Sequence, residues 1–409
     1  MSEALLRDLS LEAAVSVIKE KINSIEESEY VPLLSANGRI LAEDVFSTIN
    51  NPPFDRSPID GYACKSKDIE NASKENPAKL KVLLEVDAGD ISGITVKDGE
   101  CIRIMTGAPI PAGCDCTVRQ EDTDYNEETV SVFAPVKAYQ NYCYAGEDFK
   151  IGDLMLKKGD KVSFAEIGTL AALGIDKVKV YRQPKVYVYT TGDEIVMPGT
   201  PLSGGKIYNS NYYMIISRLN DCGVNPIVTG SLSDDVNEVG NAILSAANAG
   251  ADLVVTSGGV SVGKKDILHE ALDIAHADKV FWGVQMKPGS PTIFSMCKGV
   301  PVISLSGNPF GVAVHTELII RPALSKLMHD ESLEPVQTDA VMGEGFEKGR
   351  GKFRRVVRAI NKNGKIFFPE GLHSSGVIAS MRGCNCFLDI TGGPKGPLTE
   401  GEEVKVWML

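Results

Sequence analysis

Leu253-Val254-Val255-Thr256-Ser257-Gly258-Gly259-Val260-Ser261-Val262-Gly263-Lys264-Lys265-Asp266 is the stretch on which the fold turns. Three apolar residues run into a glycine-rich polar turn, two lysines and an acid, and helical apolar spacing resumes over 267–275. A buried strand that ends in a Gly turn and feeds a helix is the repeating half of a sheet covered on both faces. The same alternation extends outward. Apolar runs at 185–189, 227–229, around Val284 and at 302–305 alternate with amphipathic stretches at 212–219, 236–249 and 312–328. Residues 183–329 therefore read as an α/β domain whose sheet is covered on both faces.

Beyond a polar hinge at 330–337, short apolar runs at 355–359, 365–368, 387–389 and 404–407 are separated by Gly and Pro, the texture of a small β-barrel or sandwich over 330–409. Upstream, Leu9, Leu11, Ala14, Val15, Val17, Ile18 and Ile22 fall on one stripe and predict an opening helix within 8–25. Residues 31–136 are punctuated by Pro, Gly and Asp around runs such as 80–86 and 129–133, so this part reads as mostly β. A second helix is expected over 164–173, ended by Gly174 and packed against the first. No internal repeat is evident.

A chain of 409 residues can hold about three domains at roughly 150 residues each. With 43% hydrophobic and 23% charged residues it is neither disordered nor fibrous. The 54 acids against 42 bases, net charge -12, repel nucleic acid and anionic lipid, so neither is an expected partner. Neither an apolar run of about 18 residues nor a leader peptide pattern is present, so no membrane association is expected. The nine scattered cysteines suit the reducing cytoplasm. The pairs Cys114/Cys116 and Cys384/Cys386 could suggest zinc, but without a nearby His or a two-residue spacer they read as strand cysteines.

Open sheets of this kind bind ligands beyond the carboxyl ends of their strands. Thr190-Thr191-Gly192-Asp193-Glu194 follows the first strand, with Gly permitting close backbone approach and two carboxylates next to it; a plain solvated turn is the other reading. The turn over 257–263 can aim backbone N–H groups at an anion, yet it lacks the order of a P-loop or a dinucleotide fingerprint. Asp266 beside such a cradle would repel a phosphate unless a cation such as Mg²⁺ or a lysine intervenes; otherwise it is an ordinary helix-start acid. Asp234 and Asp235 add further acid. Lys287, in Met286-Lys287-Pro288-Gly289-Ser290-Pro291, can meet an anion as a point charge, and Leu305-Ser306-Gly307-Asn308-Pro309 supplies a further loop. Together these features imply a phosphorylated ligand with a divalent metal.

Four upstream segments are as polar as these turns: the run from Pro52 to Ala63, Arg103-Ile104-Met105-Thr106-Gly107-Ala108-Pro109, Gln120-Glu121-Asp122-Thr123, and Gly146-Glu147-Asp148. As a set, P-P-F-D-x-S-x-x-D-G-Y-A from Pro52, R-I-M-T-G-A from Arg103, T-G-D-E from Thr191, S-G-G-V-S-V-G from Ser257, Lys287-Pro288-Gly289 and Gly307-Asn308-Pro309 make the whole chain resemble the molybdopterin molybdenumtransferases, the MoeA family, related to the E domain of gephyrin. The resemblance implies a four-domain subunit: an elongated discontinuous domain of 1–50 and 141–182, an inserted β-rich domain of 51–140, a molybdopterin-binding α/β domain of 183–329 with a mixed sheet, and a small β-barrel of 330–409. It also implies a homodimer whose cleft joins the α/β domain of one subunit to the N-terminal domains of the other. The substrates would be adenylylated molybdopterin and molybdate, giving molybdenum cofactor and AMP with Mg²⁺ assisting.

By motif position the resemblance makes Asp60, Thr106, Asp148, Glu194, Asp234, Asp266 and Lys287 functional, with Glu194 and Asp266 holding the metal. It assigns substrate binding to Thr191, Gly192, Ser257, Gly258, Gly259, Ser261, Gly263 and Asn308, and places Pro309, Arg354 and Ser375 near molybdate. Six Lys or Arg residues over 348–358 offer an electrostatic reason for an oxyanion there, or else a solvated strand face. Many relatives have L-P-G-N-P where Leu305-Ser306-Gly307-Asn308-Pro309 stands, and some have a basic residue at Gly283 or Ser290, which leaves the oxyanion contacts open. Two rivals remain. One is the adenylyltransferase that prepares the substrate, whose single domain resembles residues 183–329. The other is a non-catalytic gephyrin-like scaffold, although no long linker or second module is present.

Overall fold

An edge strand of the central sheet comes from far outside the α/β segment. In the computed structural model, which describes residues 5–260, 267–351, 353–391 and 396–409, Leu6–Leu9 pairs in parallel with Asp278–Val284. The seven strands run in the order Leu6–Leu9, Asp278–Val284, Thr292–Cys297, Val300–Leu305, Leu253–Ser257, Val186–Thr191 and Ile227–Leu232. Thr292–Cys297 is antiparallel to both of its neighbours, and the strands from Val300–Leu305 to Ile227–Leu232 are mutually parallel, so the sheet is mixed. The antiparallel strand, whose position no apolar run had marked, is joined to the next by Lys298-Gly299, with φ of 51° and 82°, the tight turn that matches strand twist.

One face of the sheet carries the helices Leu11–Lys21, Ser210–Asp221, Pro309–His315 and Arg321–Met328, and the other carries Val236–Asn248 and Leu268–Ile274. The first helix starts where the Ser10 hydroxyl accepts from Ala13 N–H at 3.1 Å. It buries Leu11, Ala14 and Ile18 in the core of the α/β domain, and Ile25 N–H then donates to Leu327 O at 2.9 Å. The expected packing of this helix against the second one is therefore corrected. Phe164–Ala172, capped by Ser163 and Glu166, buries only Leu170 and falls in a different compact unit. Periodicity identifies the apolar face of a helix but not the surface that covers it.

The chain divides into one unit of Met1–Tyr30, Gly38–Ala42 and Lys179–Leu409 and a second of Val31–Asn37 and Glu43–Val178. The second holds a five-stranded sheet in the order Cys116–Arg119, Gly61–Cys64, Glu100–Ile104, Ala78–Val86 and Thr129–Val132. In the first, Gln337–Met342, Arg354–Lys362, Lys365–Phe367, Cys386–Ile390 and Glu403–Met408 form a closed barrel, because Arg354–Lys362 pairs on both of its edges. Closure decides between the barrel and the sandwich. None of the nine cysteines forms a disulfide; Cys116 and Cys386 lie in strands, while Cys114 and Cys384 lie just ahead of them. Among the described residues no helix is long and apolar enough to cross a membrane.

Ile18 is fully buried, so Ile18→Ala is expected to cost about 2–5 kcal/mol. Hydrogen exchange should show lost protection in Asp278–Val284 and Arg321–Met328, with the amides of Phe164–Ala172 unaffected; the reverse pattern would refute the packing described above.

Candidate active site

A cavity of about 970 Å³ opens where Val186–Thr191, Leu253–Ser257 and Val300–Leu305 end. Thr191, Gly192, Glu194, Asp234, Ser257, Gly258, Gly259, Lys287, Asn308 and Pro309 line it from the α/β domain, and Ser375 lines it from the barrel. Most of these predicted residues are thus gathered into one concavity by three parallel strands that stop at the same level, with Asp234 from the turn after Ile227–Leu232 and Lys287 and Ser375 from the junction with the barrel. Ser261, Gly263 and Asp266 lie outside the described residues.

Close packing of the turns depends on glycine. At Gly258, φ is +106° and an added Cβ would sit 2.4 Å from Thr191 O; at Gly259, φ is +66° and the Cβ would meet Leu268 Cδ2 at 2.5 Å. The cradle is only partly as anticipated, because two of its expected donors are used internally. Gly258 N–H donates to Leu305 O at 3.1 Å, and the buried Ser257 hydroxyl donates to Ser306 O at 3.4 Å. Asn211, unmarked in the sequence reading, ties the turns together through Nδ2, which donates to Gly307 O at 2.8 Å and Ser257 Oγ at 3.3 Å. Thr191 Oγ1 and Asn211 Oδ1 are buried without a hydrogen-bond partner among the described residues, and both residues line the cavity. Buried polar atoms are rarely left in this state, so the pair offers a ligand one hydroxyl and one carbonyl.

Two carboxylates reach the cavity. Glu194 follows Gly192, whose missing side chain leaves room for Glu194 Oε2, which would lie 2.8 Å from a Cβ there. Asp234 is placed by reciprocal bonds between two strand-end turns: Asp193 N–H donates to Asp234 Oδ2 at 3.3 Å, and Asp234 N–H to Asp193 Oδ1 at 3.1 Å. Among the described residues no group of three or more His, Cys, Asp or Glu is poised to hold a metal. Two carboxylates facing one cavity nevertheless suit Mg²⁺, which takes one or two protein carboxylates and completes its shell with substrate oxygens and water.

The junction with the barrel is cationic. Met286–Lys287 forms a short parallel ladder with the barrel strand, Met286 opposite Arg354 and Lys287 opposite Arg355. Lys287 and Arg355 both line the cavity, and among the described residues neither is paired with a carboxylate. Arg354, the predicted molybdate neighbour, does not line it. Its guanidinium bonds Glu12 Oε1 at 2.5 Å, Thr391 Oγ1 at 2.9 Å and Asp389 Oδ1 at 3.2 Å. Successive strand residues point to opposite faces, so a one-residue offset in reading the basic run exchanges the structural arginine for the cavity arginine. The strand face over this run is thus divided among an ion pair, the cavity and, at Arg358, the core.

Buried His315 supports the lysine loop. Its Nε2 lies 2.8 Å from Gly289 O and 2.9 Å from Thr292 Oγ1, and a Cβ on Gly289 would be only 2.4 Å from that nitrogen. Burial lowers its pKa to about 4, so the imidazole is neutral near pH 7. On the barrel side, Phe310 N–H donates to Ser375 O at 3.0 Å, joining the Asn308-Pro309 turn to the serine loop.

The remaining predicted residues lie in the second unit. Asp60 Oδ1 accepts from both Thr106 N–H and Thr106 Oγ1 at 2.7 Å, and these bonds hold its carboxyl below the ordinary range. Asp148 Oδ2 accepts from Asn51 Nδ2 at 2.9 Å.

Three family models match the chain: the MoeA N-terminal region (domain I and II) over residues 9–174, a probable molybdopterin binding domain over 187–326, and the MoeA C-terminal region (domain IV) over 341–409. A molybdopterin molybdenumtransferase of Staphylococcus aureus is 36% identical over 369 residues, which is 90% of this chain and 88% of that one. One from Staphylococcus epidermidis is 36% identical over 362 residues, 88% of this chain and 86% of its own. A solved molybdopterin biosynthesis MoeA protein from Pyrococcus horikoshii superposes with a TM-score of 0.83 at 31% identity, covering 98% of this chain and 99% of that one.

Gly258→Ala should lower stability by at least about 1–3 kcal/mol through its positive φ. Gly307→Ala, whose Cβ would find its nearest neighbour at 3.6 Å, should leave the melting temperature nearly unchanged. The unfolded chain protonates His315 near its ordinary 6.5 and the folded chain only near 4, so the stability associated with it is present above pH 6.5 and lost as pH falls through that interval. The loss amounts to roughly 3 kcal/mol. In His315→Gln the pH dependence of the unfolding midpoint over this interval should flatten; an unchanged slope would show that His315 is not its source.

Proposed function

The chain belongs to the MoeA family of molybdopterin molybdenumtransferases, and from that premise we propose which of its residues carry the transfer. The activity is molybdenum insertion in molybdenum-cofactor biosynthesis. The proposed substrates are adenylylated molybdopterin, which enters the cavity with its phosphoanhydride toward Glu194 and Asp234, and molybdate, which is held at the cationic wall. The observation that carries this reading is the register of Lys287 with Arg355. Two like charges opposite one another on a ladder repel, and an oxyanion between them relieves the repulsion.

Ser375 orients that oxyanion from the barrel loop, and Lys287 neutralises charge on it. Thr191 Oγ1 and Asn211 Oδ1 bind polar groups of the larger substrate, and Gly258 and Gly259 let it approach the backbone. Glu194 and Asp234, with Asp266, would hold Mg²⁺, which when bound withdraws charge from the phosphate oxygens as the bond to AMP breaks. Asp60, Thr106 and Asp148 complete the cleft of the partner subunit in a homodimer, and the four-domain division given by motif belongs to the same proposal. We place the protein in the cytoplasm, consistent with nine cysteines that form no disulfide.

With adenylylated molybdopterin, Mg²⁺ and molybdate, the protein should release AMP, and Glu194→Gln should fold normally and slow that release by about 10²-fold or more. Unchanged turnover in the variant would support a scaffold instead. Vigorous consumption of ATP and molybdopterin without molybdate would support the adenylyltransferase.

A further inference from the structure

Arg358 is fully buried, and no carboxylate is among its partners in the described residues. Its guanidinium lies over the Phe310 ring, 3.9 Å from the centroid. It donates to Val377 O at 2.6 Å, Ser374 O at 2.9 Å and the Ser380 hydroxyl. Burial draws its pKa down from the ordinary arginine value, and Nε has no hydrogen-bond partner among the described residues. Arginine is seldom buried unless paired, because taking its charge out of water is costly and a counter-ion normally offsets that cost.

The groups that Arg358 does hold explain where it acts. Ser374 and Val377 bracket Ser375 and Gly376, which line the active cavity, and Ser375 O accepts from the backbone of Phe310, the residue beneath the guanidinium. One planar cation, itself outside the cavity lining, therefore clamps the barrel loop at 374–377 to the first residues after Asn308-Pro309. Its charge stays unneutralised directly behind the wall that presents Ser375. In this enclosed setting a fixed positive charge acts at longer range than it would in water. Three cations, Lys287 and Arg355 lining the cavity and Arg358 buried beneath the 374–377 loop, thus belong to the junction of the α/β domain with the barrel.

We propose that Arg358 is a positioning residue for the oxyanion: it fixes the 374–377 loop against Phe310 and supplies a buried, uncompensated positive charge behind it. The proposal rests on the assignment of molybdate to this end of the cavity. Arg358 touches neither substrate. Its planar fork sets where the Ser375 hydroxyl lies, and its charge favours an anion in front of the loop.

The test separates the two substrates kinetically in the full-length protein. Arg358→Met is expected to raise the KM for molybdate, and its Kd measured calorimetrically with molybdate alone, by about tenfold or more, with kcat at saturating molybdate and the KM for adenylylated molybdopterin unchanged. Arg358→Lys, which retains the charge but not the fork, should fall between wild type and Arg358→Met. Ser380→Ala removes one of the guanidinium's partners away from the cavity, so it decides the matter should Arg358→Met fail to fold; a few-fold rise in molybdate KM at an unaltered melting temperature is expected. The proposal is overturned if molybdate KM does not move, or if both KM values and kcat deteriorate together with the melting temperature, as a purely structural brace would require. A wild-type protein that releases no AMP would refute the catalytic reading, while the molybdate Kd of the variants would still decide the role of Arg358.

Discussion

Two residues of parallel pairing, Met286 with Arg354 and Lys287 with Arg355, join the α/β domain to the barrel, and the cavity exists as a consequence. Without that ladder, the turns after Thr191, Ser257 and Leu305 would form an open shelf at the end of a sheet. With it, the barrel strand Arg354–Lys362 supplies a second wall whose three arginines are each committed: Arg354 to Glu12 and Asp389, Arg355 to the cavity, Arg358 to the serine loop. A slip by one residue would invert all three assignments, since strand side chains alternate between faces. The ion pair of Arg354 with Glu12 also brings the first helix into this arrangement and opposes such a slip.

Charge is distributed along the cavity by the same constraint. The acids come from the α/β strand ends and the cations from the junction, so opposite charges line one concavity without neutralising each other directly. A substrate pair consisting of a phosphoanhydride with its metal and a tetrahedral oxyanion needs that separation. The chain as a whole carries a net charge of -12, which would otherwise disfavour anions, so affinity for them has to be built locally.

The scaffold behind the walls is rigid for identifiable reasons. Gly258 and Gly289 permit backbone approaches that any side chain would block, at Thr191 O and at the His315 ring respectively. Neutral His315 and cationic Arg358 each fill a buried position and bond chiefly to backbone carbonyls and hydroxyls. Both hold loops rather than contact substrate; the sequence did not mark His315, and it marked Arg358 only as one of six basic residues over 348–358, because neither a lone His nor a run of charge says what a side chain braces.

Local patterns by themselves determined the α/β segment, the small β C-terminal domain and the gathering of Thr191, Gly192, Glu194, Asp234, Gly258 and Lys287 at strand ends, because 3.6- and 2-residue periodicities and glycine-rich turns are properties of neighbouring residues. The long motifs also carried the family likeness. Only the tertiary structure decided that Leu6–Leu9 is an edge strand of the central sheet, that the first helix packs on Arg321–Met328 rather than on Phe164–Ala172, and that Arg355 rather than Arg354 faces the cavity. These are questions of which partner covers a face and in which register. Their answers lie in surfaces up to several hundred residues away along the chain, where composition and spacing exert no constraint.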